Sequence, residues 1–233
     1  DPGTDVHDSI ARMRTPNVLD PRRRDALRII HEQAQDPRPV DLFREMRARL
    51  LLDCGRGNPI LLVTGVRRQC GTSFIARNLA AAVALDPDRS ALLVDCNLRQ
   101  PSVQQGFDLH EGPGLSDQLL SPGHGLAAAI RPSGIPRLRI IGAGREPFTA
   151  SELVASTRMQ ALLEELQERY PDRCVILGAP PARGGPEARV LAQWADRVVL
   201  VAGEGMHSAA QVSEAAAAFD PARFAGVVFN QLP

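Results

Sequence analysis

The stretch Ile60-Leu61-Leu62-Val63-Thr64-Gly65-Val66-Arg67-Arg68-Gln69-Cys70-Gly71-Thr72-Ser73-Phe74 decides how this chain reads. An apolar β-rich run leads into a turn with two glycines and then into a helical segment that continues to Leu85, the setting a phosphate-binding loop requires. Outward from it, further short apolar runs predict strands at Ala91 to Asp95, Leu138 to Gly142, Cys174 to Gly178, Arg197 to Ala202 and Gly226 to Asn230. Between them, Ser73 to Leu85, Ser156 to Tyr170, Pro186 to Trp194 and Ser208 to Phe219 have helical spacing. Apolar strands alternating with helices predict an α/β fold: a doubly wound, mostly parallel sheet with helices on both faces. Ligands of such sheets sit at the carboxyl ends of the strands, so chemistry is expected in the loops after Thr64, Asp95 and Gly178.

The composition narrows the function. The 233 residues are 44% hydrophobic and 23% charged, suited to one sizeable core. Basic and acidic residues number 27 each, and this zero balance removes the electrostatic footprint of a dedicated nucleic-acid binder. Every basic residue is an arginine; there is no lysine. Apolar runs such as Ile60 to Val63 and Val198 to Ala202 fall far short of the ~20 residues that cross a bilayer, so no membrane span is expected. The start, Asp1-Pro2-Gly3-Thr4-Asp5, has no leader-like basic or apolar region, and the expected location is the cytoplasm.

Residues 1–37 hold Pro2, Pro16, Pro21 and Pro37 and read as an N-terminal arm, partly helical or flexible, with a helix predicted only over Arg22 to Gln35. Residues 38–233 read as the globular domain, entered through a helix whose stripe is Leu42, Phe43, Met46, Leu50 and Leu51. Cys54, Cys70, Cys96 and Cys174 form no C-x-x-C pair and are expected to be buried thiols, Cys70 and Cys96 facing one crevice. His7, His31, His110, His124 and His207 match no local signature.

Against the motif G-x-x-x-x-G-K-[ST], Gly71 and Ser73 hold their places and Gly65 lies one residue early. Thr72 stands where the motif has lysine. Arg67 and Arg68 offer guanidinium charge in its stead.

Beyond this loop the sequence becomes more particular. Leu92 to Ser102, Gly112-Pro113-Gly114-Leu115-Ser116-Asp117, Ser151-Glu152-Leu153 with Met159, Tyr170 to Pro181, Glu187 to Ala192 and Val227 to Asn230 occur in order. Over about residues 40 to 230 these segments resemble the cytoplasmic domain of bacterial tyrosine autokinases, which work with membrane polysaccharide co-polymerases in exopolysaccharide and capsule export. The resemblance implies a P-loop NTPase-like fold of the deviant Walker type. It also implies that an active member carries the loop lysine, an Asp-x-Asp pair in the second loop and an Asp before Pro-Pro in the third. This chain has Thr72, Asp95 with Asn97, and Gly178.

Phosphoryl transfer rests on metal and cationic stabilisation of the moving charge, so these losses point to a catalytically degenerate member, a pseudokinase acting in docking or regulation. The vestigial nucleotide set is Gly65, Arg67, Arg68, Gly71, Thr72, Ser73, Asp95 and Asn97, with ATP or ADP bound weakly if at all. Ser73 and Asp95 are the candidates to hold magnesium, and no cofactor is required. One rival is an unconventional ATPase or tyrosine kinase using Asp95 and the loop arginines. A partitioning or positioning ATPase ranks last, because those need a signature lysine. Asp41, Arg44 and Arg47 follow the family's oligomerisation pattern E-x-x-R-x-x-R with Asp for Glu. The implied partners are a membrane co-polymerase or other export component, which would hold the protein peripheral to the inner membrane, and further copies of this chain. The family's C-terminal tyrosine cluster has no counterpart before Pro233, and the single tyrosine, Tyr170, is expected to pack at a helix end.

Overall fold

The computed structural model describes all residues except 1–9, 11–12, 56, 106, 108, 110–111, 122, 124, 146–148 and 232–233. His7, His110 and His124 therefore lie outside the described residues. The elements are α1 (Pro21–Ala26), α2 (Arg38–Cys54), β1 (Ile60–Gly65), α3 (Thr72–Ala84), β2 (Ser90–Asp95), α4 (Leu115–Leu120), α5 (Leu126–Ala129), β3 (Arg131–Pro132), β4 (Leu138–Ile141), α6 (Ala150–Val154), α7 (Thr157–Arg169), β5 (Arg173–Gly178), α8 (Glu187–Ala192), β6 (Arg197–Gly203), α9 (Ala209–Ala216) and β7 (Phe224–Asn230).

Seven strands form one sheet in the order β3-β4-β2-β5-β1-β6-β7. All neighbours are parallel except β3 and β4. Alternate residues of the central strands feed two cores, as a period of two demands. Leu62, Leu92, Val94 and Leu177 meet Met159 of α7 and Leu191 of α8 on one face. Leu61, Val63, Leu93 and Ile176 meet Leu79 of α3 and Phe43 of α2 on the other. The doubly wound sheet read from the apolar runs is the one observed.

Register then gathers three loops at one edge. Val63 pairs with Gly178, Asp95 pairs with Gly178, and Gly65 pairs with Val201, so the carboxyl ends of β1, β2, β5 and β6 adjoin.

The arm departs from its predicted helix. Helix α1 ends at Ala26, and Arg28 adopts a left-handed φ of 53°. The buried Asn78 of α3 accepts the Ile30 N–H at 2.8 Å and donates to the Arg28 carbonyl at 2.9 Å. Those long-range bonds, with Ile29 and Ile30 buried, outweigh the local helical preference of Leu27 to Gln35.

The stripe of α2 also shifts. Val40, Phe43 and Leu50 are buried, whereas Leu42 is 66% exposed. Arg47 falls inside the buried stripe and donates to the Ala82 carbonyl at 3.0 Å, in the last turn of α3, where carbonyls lack helical partners. Gly55 ends α2 at φ 64°, the left-handed conformation glycine adopts without strain. Among the described residues no helix is long and apolar enough to cross a membrane.

Candidate functional site

The loop between β1 and α3 keeps the shape of a phosphate loop at its base. Gly71 caps α3 at φ 89°, and Gln69 takes φ 65° without being glycine. A Cβ on Gly65 would collide with Cys70 Sγ and lie 2.5 Å from Thr72 Oγ1, so the chain passes where only glycine fits. The loop is tied to the sheet by Val66 N–H on the Val201 carbonyl at 2.9 Å and by the Asn230 amide on the Cys70 carbonyl at 3.3 Å. Arg67, Arg68 and Gln69 are exposed. Neither guanidinium has a hydrogen-bond or ion-pair partner among the described residues, while the Arg67 carbonyl accepts from Cys70 Sγ at 3.0 Å.

The residues that the sequence motif assigned to a metal are bonded to other groups of the protein. Ser73 Oγ, the hydroxyl that the sequence motif offers to magnesium, is hydrogen-bonded to Ser102 Oγ. Asp95 accepts the Ser102 and Val103 amides on Oδ2, both at 2.9 Å, and the Asn97 amide on Oδ1 at 3.1 Å. A Cβ on Gly178 would lie 2.8 Å from Val103 Cγ2, so a buried methyl occupies the space that an aspartate there would need. The intervening segment is held at further points. Arg77 donates to the Gln105 carbonyl at 2.6 Å, Gln104 Oε1 accepts the Ala143 amide at 3.2 Å, and Arg99 donates to Ser151 Oγ at 3.1 Å. Ser102 and Val103 are the residues that sequence reasoning missed: a loop without periodicity does not reveal which of its side chains turns inward.

Asp95 is fully buried, and this desolvation pushes its carboxyl up to about 6, against the downward pull of its backbone hydrogen bonds. A raised carboxyl favours the folded state while protonated, so this contribution is complete below the ordinary carboxylate range and is lost as pH rises through 6. The span corresponds to about 3 kcal/mol. Urea unfolding between pH 4 and 7 is expected to show stability falling with pH from this group, and Asp95→Asn is expected to remove that component. Equal slopes in the two proteins would refute it.

Elsewhere, Gly114-Leu115-Ser116-Asp117 closes on the chain after β4. The Leu115 and Ser116 amides bind the Gly142 and Ala143 carbonyls at 2.8 and 2.9 Å, and Asp117 caps back to the Gly114 amide at 2.9 Å. Cys70, Cys96 and Cys174 are buried and Cys54 is half-buried. Cys70 and Cys96 pack in the cores on opposite faces of the sheet, which corrects the expectation of a shared crevice. Burial pushes the Cys96 thiol up, with Asp95 adding to it. Tyr170 stands just beyond α7 with the Arg173 guanidinium stacked 3.9 Å from its ring centre. Arg44 pairs with Asp41 and with Glu32, each at 3.8 Å, while Arg47 turns inward, so the three charges do not present one outer face.

No family model matches the chain. The tyrosine-protein kinase Ptk of Acinetobacter johnsonii is 28% identical over 188 residues, covering 80% of this chain and 25% of that protein. The chain spans about a quarter of the length of the first curated relatives it matches. Among solved structures, the BceF tyrosine kinase domain is 30% identical with a TM-score of 0.72, over 83% of this chain and 78% of that one. The kinase domain of the Escherichia coli tyrosine kinase ETK is 28% identical with a TM-score of 0.74, over 83% of this chain and 75% of that one. The architecture is thus that of a P-loop NTPase-like kinase domain.

Proposed function

The chain belongs to the bacterial tyrosine autokinase family, and from that premise we propose that it is a pseudokinase, a docking or regulatory component of exopolysaccharide synthesis and export. The observation that carries this reading is the filled metal corner: Ser73 bonded to Ser102, Asp95 consumed by the Asn97, Ser102 and Val103 amides, and Val103 against Gly178. Magnesium needs oxygen ligands free to complete an octahedron. Here the one surviving carboxylate folds a loop instead, and the loop's hydroxyl and methyl stand in the way. Lysine, which would answer the β- and γ-phosphate charge, is absent from the chain.

ATP or ADP, if bound, would be held by loop amides from Gly65 to Gly71, by Thr72 and by the exposed Arg67 and Arg68, with Ser73 and Asp95 the residues nearest a metal. Binding without turnover is compatible with those free guanidinium groups. The partner is a membrane polysaccharide co-polymerase, which would place the protein in the cytoplasm, peripheral to the inner membrane. The outward side of α2, where Leu42 is 66% exposed beside Asp41 and Leu52 is 82% exposed toward the helix C-terminus, is the surface offered to that partner or to further copies of the chain.

Calorimetric titration of the purified protein with ATP and ADP, with and without magnesium, tests the reading. Nucleotide affinity is expected to be weak or absent and unchanged by magnesium. Magnesium-dependent binding accompanied by ATP hydrolysis or tyrosine phosphorylation would replace it with the enzyme reading.

A further inference from the structure

The two edges of the sheet are finished differently. At one, β3 is only Arg131-Pro132, and a proline beside a charge turns a further strand away. At the other, β7 runs for seven residues, Phe224–Asn230, without a charge or a proline. Its backbone bonds go to β6 and to the turn at Asp220, and none leaves its outer edge for another described residue. One irregularity beside Val198 leaves Ala225 out of the ladder, whereas Gly226 to Asn230 pair one to one with Val199 to Gly203. Within that regular stretch Phe229 is 69% exposed, a large ring held in water on an open edge.

The strand is complementary to itself. In an antiparallel copy centred on Val228, Phe229 of each strand falls opposite Val227 of the other, and an aromatic facing a β-branched side chain is a pairing that stabilises sheets. Val227 lies two residues from Phe229, hence on the same face, and is already half-buried there. Gly226, around whose missing Cβ nothing lies within 4 Å, falls opposite Asn230, so the chain's own side chains leave that end open. The bordering charges are Asp220 and Arg223 before the strand and Glu204 beside Asn230, all outside the paired span. Asp220 is engaged with the Ala222 amide at 2.9 Å. An antiparallel copy sets the Arg223 end of one strand against the Glu204 end of the other, whereas a parallel copy would set like ends together. Five paired residues span about 17 Å, an edge that buries less than the about 1,200 Å² of a standard stable interface, so the association is reversible.

We propose that two copies of the chain pair β7 to β7 across a two-fold axis at Val228, joining their seven-stranded sheets into one. This interface is separate from the outward side of α2, and it is independent of whether the phosphate loop binds nucleotide.

Sedimentation velocity of the full chain from micromolar to millimolar concentration tests it. A reversible monomer–dimer equilibrium is expected, and Phe229→Asp, a change at an exposed position, is expected to weaken it about tenfold or more. Cross-linking with oxidised glutathione reads the register. Val228→Cys meets its own counterpart at the axis and is expected to form an intermolecular disulfide, whereas Phe229→Cys faces Val227 and is expected to form far less, although it is the more exposed. Circular dichroism reports whether each variant is folded. A chain that stays monomeric throughout, an equilibrium that survives Phe229→Asp in a folded protein or is abolished by Leu42→Glu on α2 instead, or cross-linking through Phe229→Cys in preference to Val228→Cys would overturn the pairing.

Discussion

Gly178→Asp is expected to destabilise the protein by about 4 kcal/mol or more, from overpacking together with burial of an uncompensated carboxylate. The new Cβ would begin 2.8 Å from Val103 Cγ2, and strand β5 is buried along its whole length, so neither side can step aside toward solvent. Val103 is itself fixed, since its amide is bonded to Asp95 at 2.9 Å. Val103→Ala alone is expected to cost about 2 kcal/mol through the cavity it leaves. In the double variant the two changes compensate, because the space vacated by one receives the other. The double variant is therefore expected to be more stable than the sum of the single effects by about 1 kcal/mol or more, measured as a coupling energy in urea unfolding. Strict additivity, or a Gly178→Asp protein as stable as the parent, would show that Val103 does not hold the place of the missing carboxylate.

How far each feature is legible in the sequence depends on how it is encoded. Central strands such as Leu92 to Asp95 and Cys174 to Gly178 are buried on both faces and announce themselves as apolar runs. Helices α4, α5 and α6 have only four to six residues, too few for a period of 3.6 to declare itself, and β3 is two residues, one of them proline. The stripe of α2 is misplaced whenever Arg47 is grouped with the outer charges. The spacing Val40, Phe43, Arg47, Leu50 places it inward, its stem against the core and its head on the Ala82 carbonyl. In the candidate site, the losses at Thr72 and Gly178 are visible as residue types. Their consequence is not: whether Asp95 still faces a metal depends on the path of residues 97–104, which is set by hydrogen bonds among backbone amides that carry no sequence pattern.

Restoring the lysine alone is expected to leave the protein without detectable magnesium-dependent phosphoryl transfer. Thr72→Lys places a cation at the start of α3, where a charge-assisted contact to phosphate contributes roughly 1.5–3 kcal/mol. Calorimetry is accordingly expected to show about ten- to a hundredfold tighter ATP binding, with no added requirement for magnesium. Turnover needs more, because the metal neutralises charge between the phosphates and must be held while the reaction proceeds. In the Thr72→Lys protein Ser73 still meets Ser102, Asp95 still binds the Ser102 and Val103 amides, and position 178 still has no carboxylate. A variant that also carries Gly178→Asp, with Val103 reduced to glycine to admit it, provides both the cation and a second carboxylate beside Asp95, and magnesium-dependent ATP binding is expected to return there first. Phosphate release or tyrosine phosphorylation by Thr72→Lys alone would mean that the segment from Ser102 to Val103 moves out of the way during a catalytic cycle. The filled corner would then be a closed state of an enzyme that lost one side chain, and the pseudokinase reading would fall.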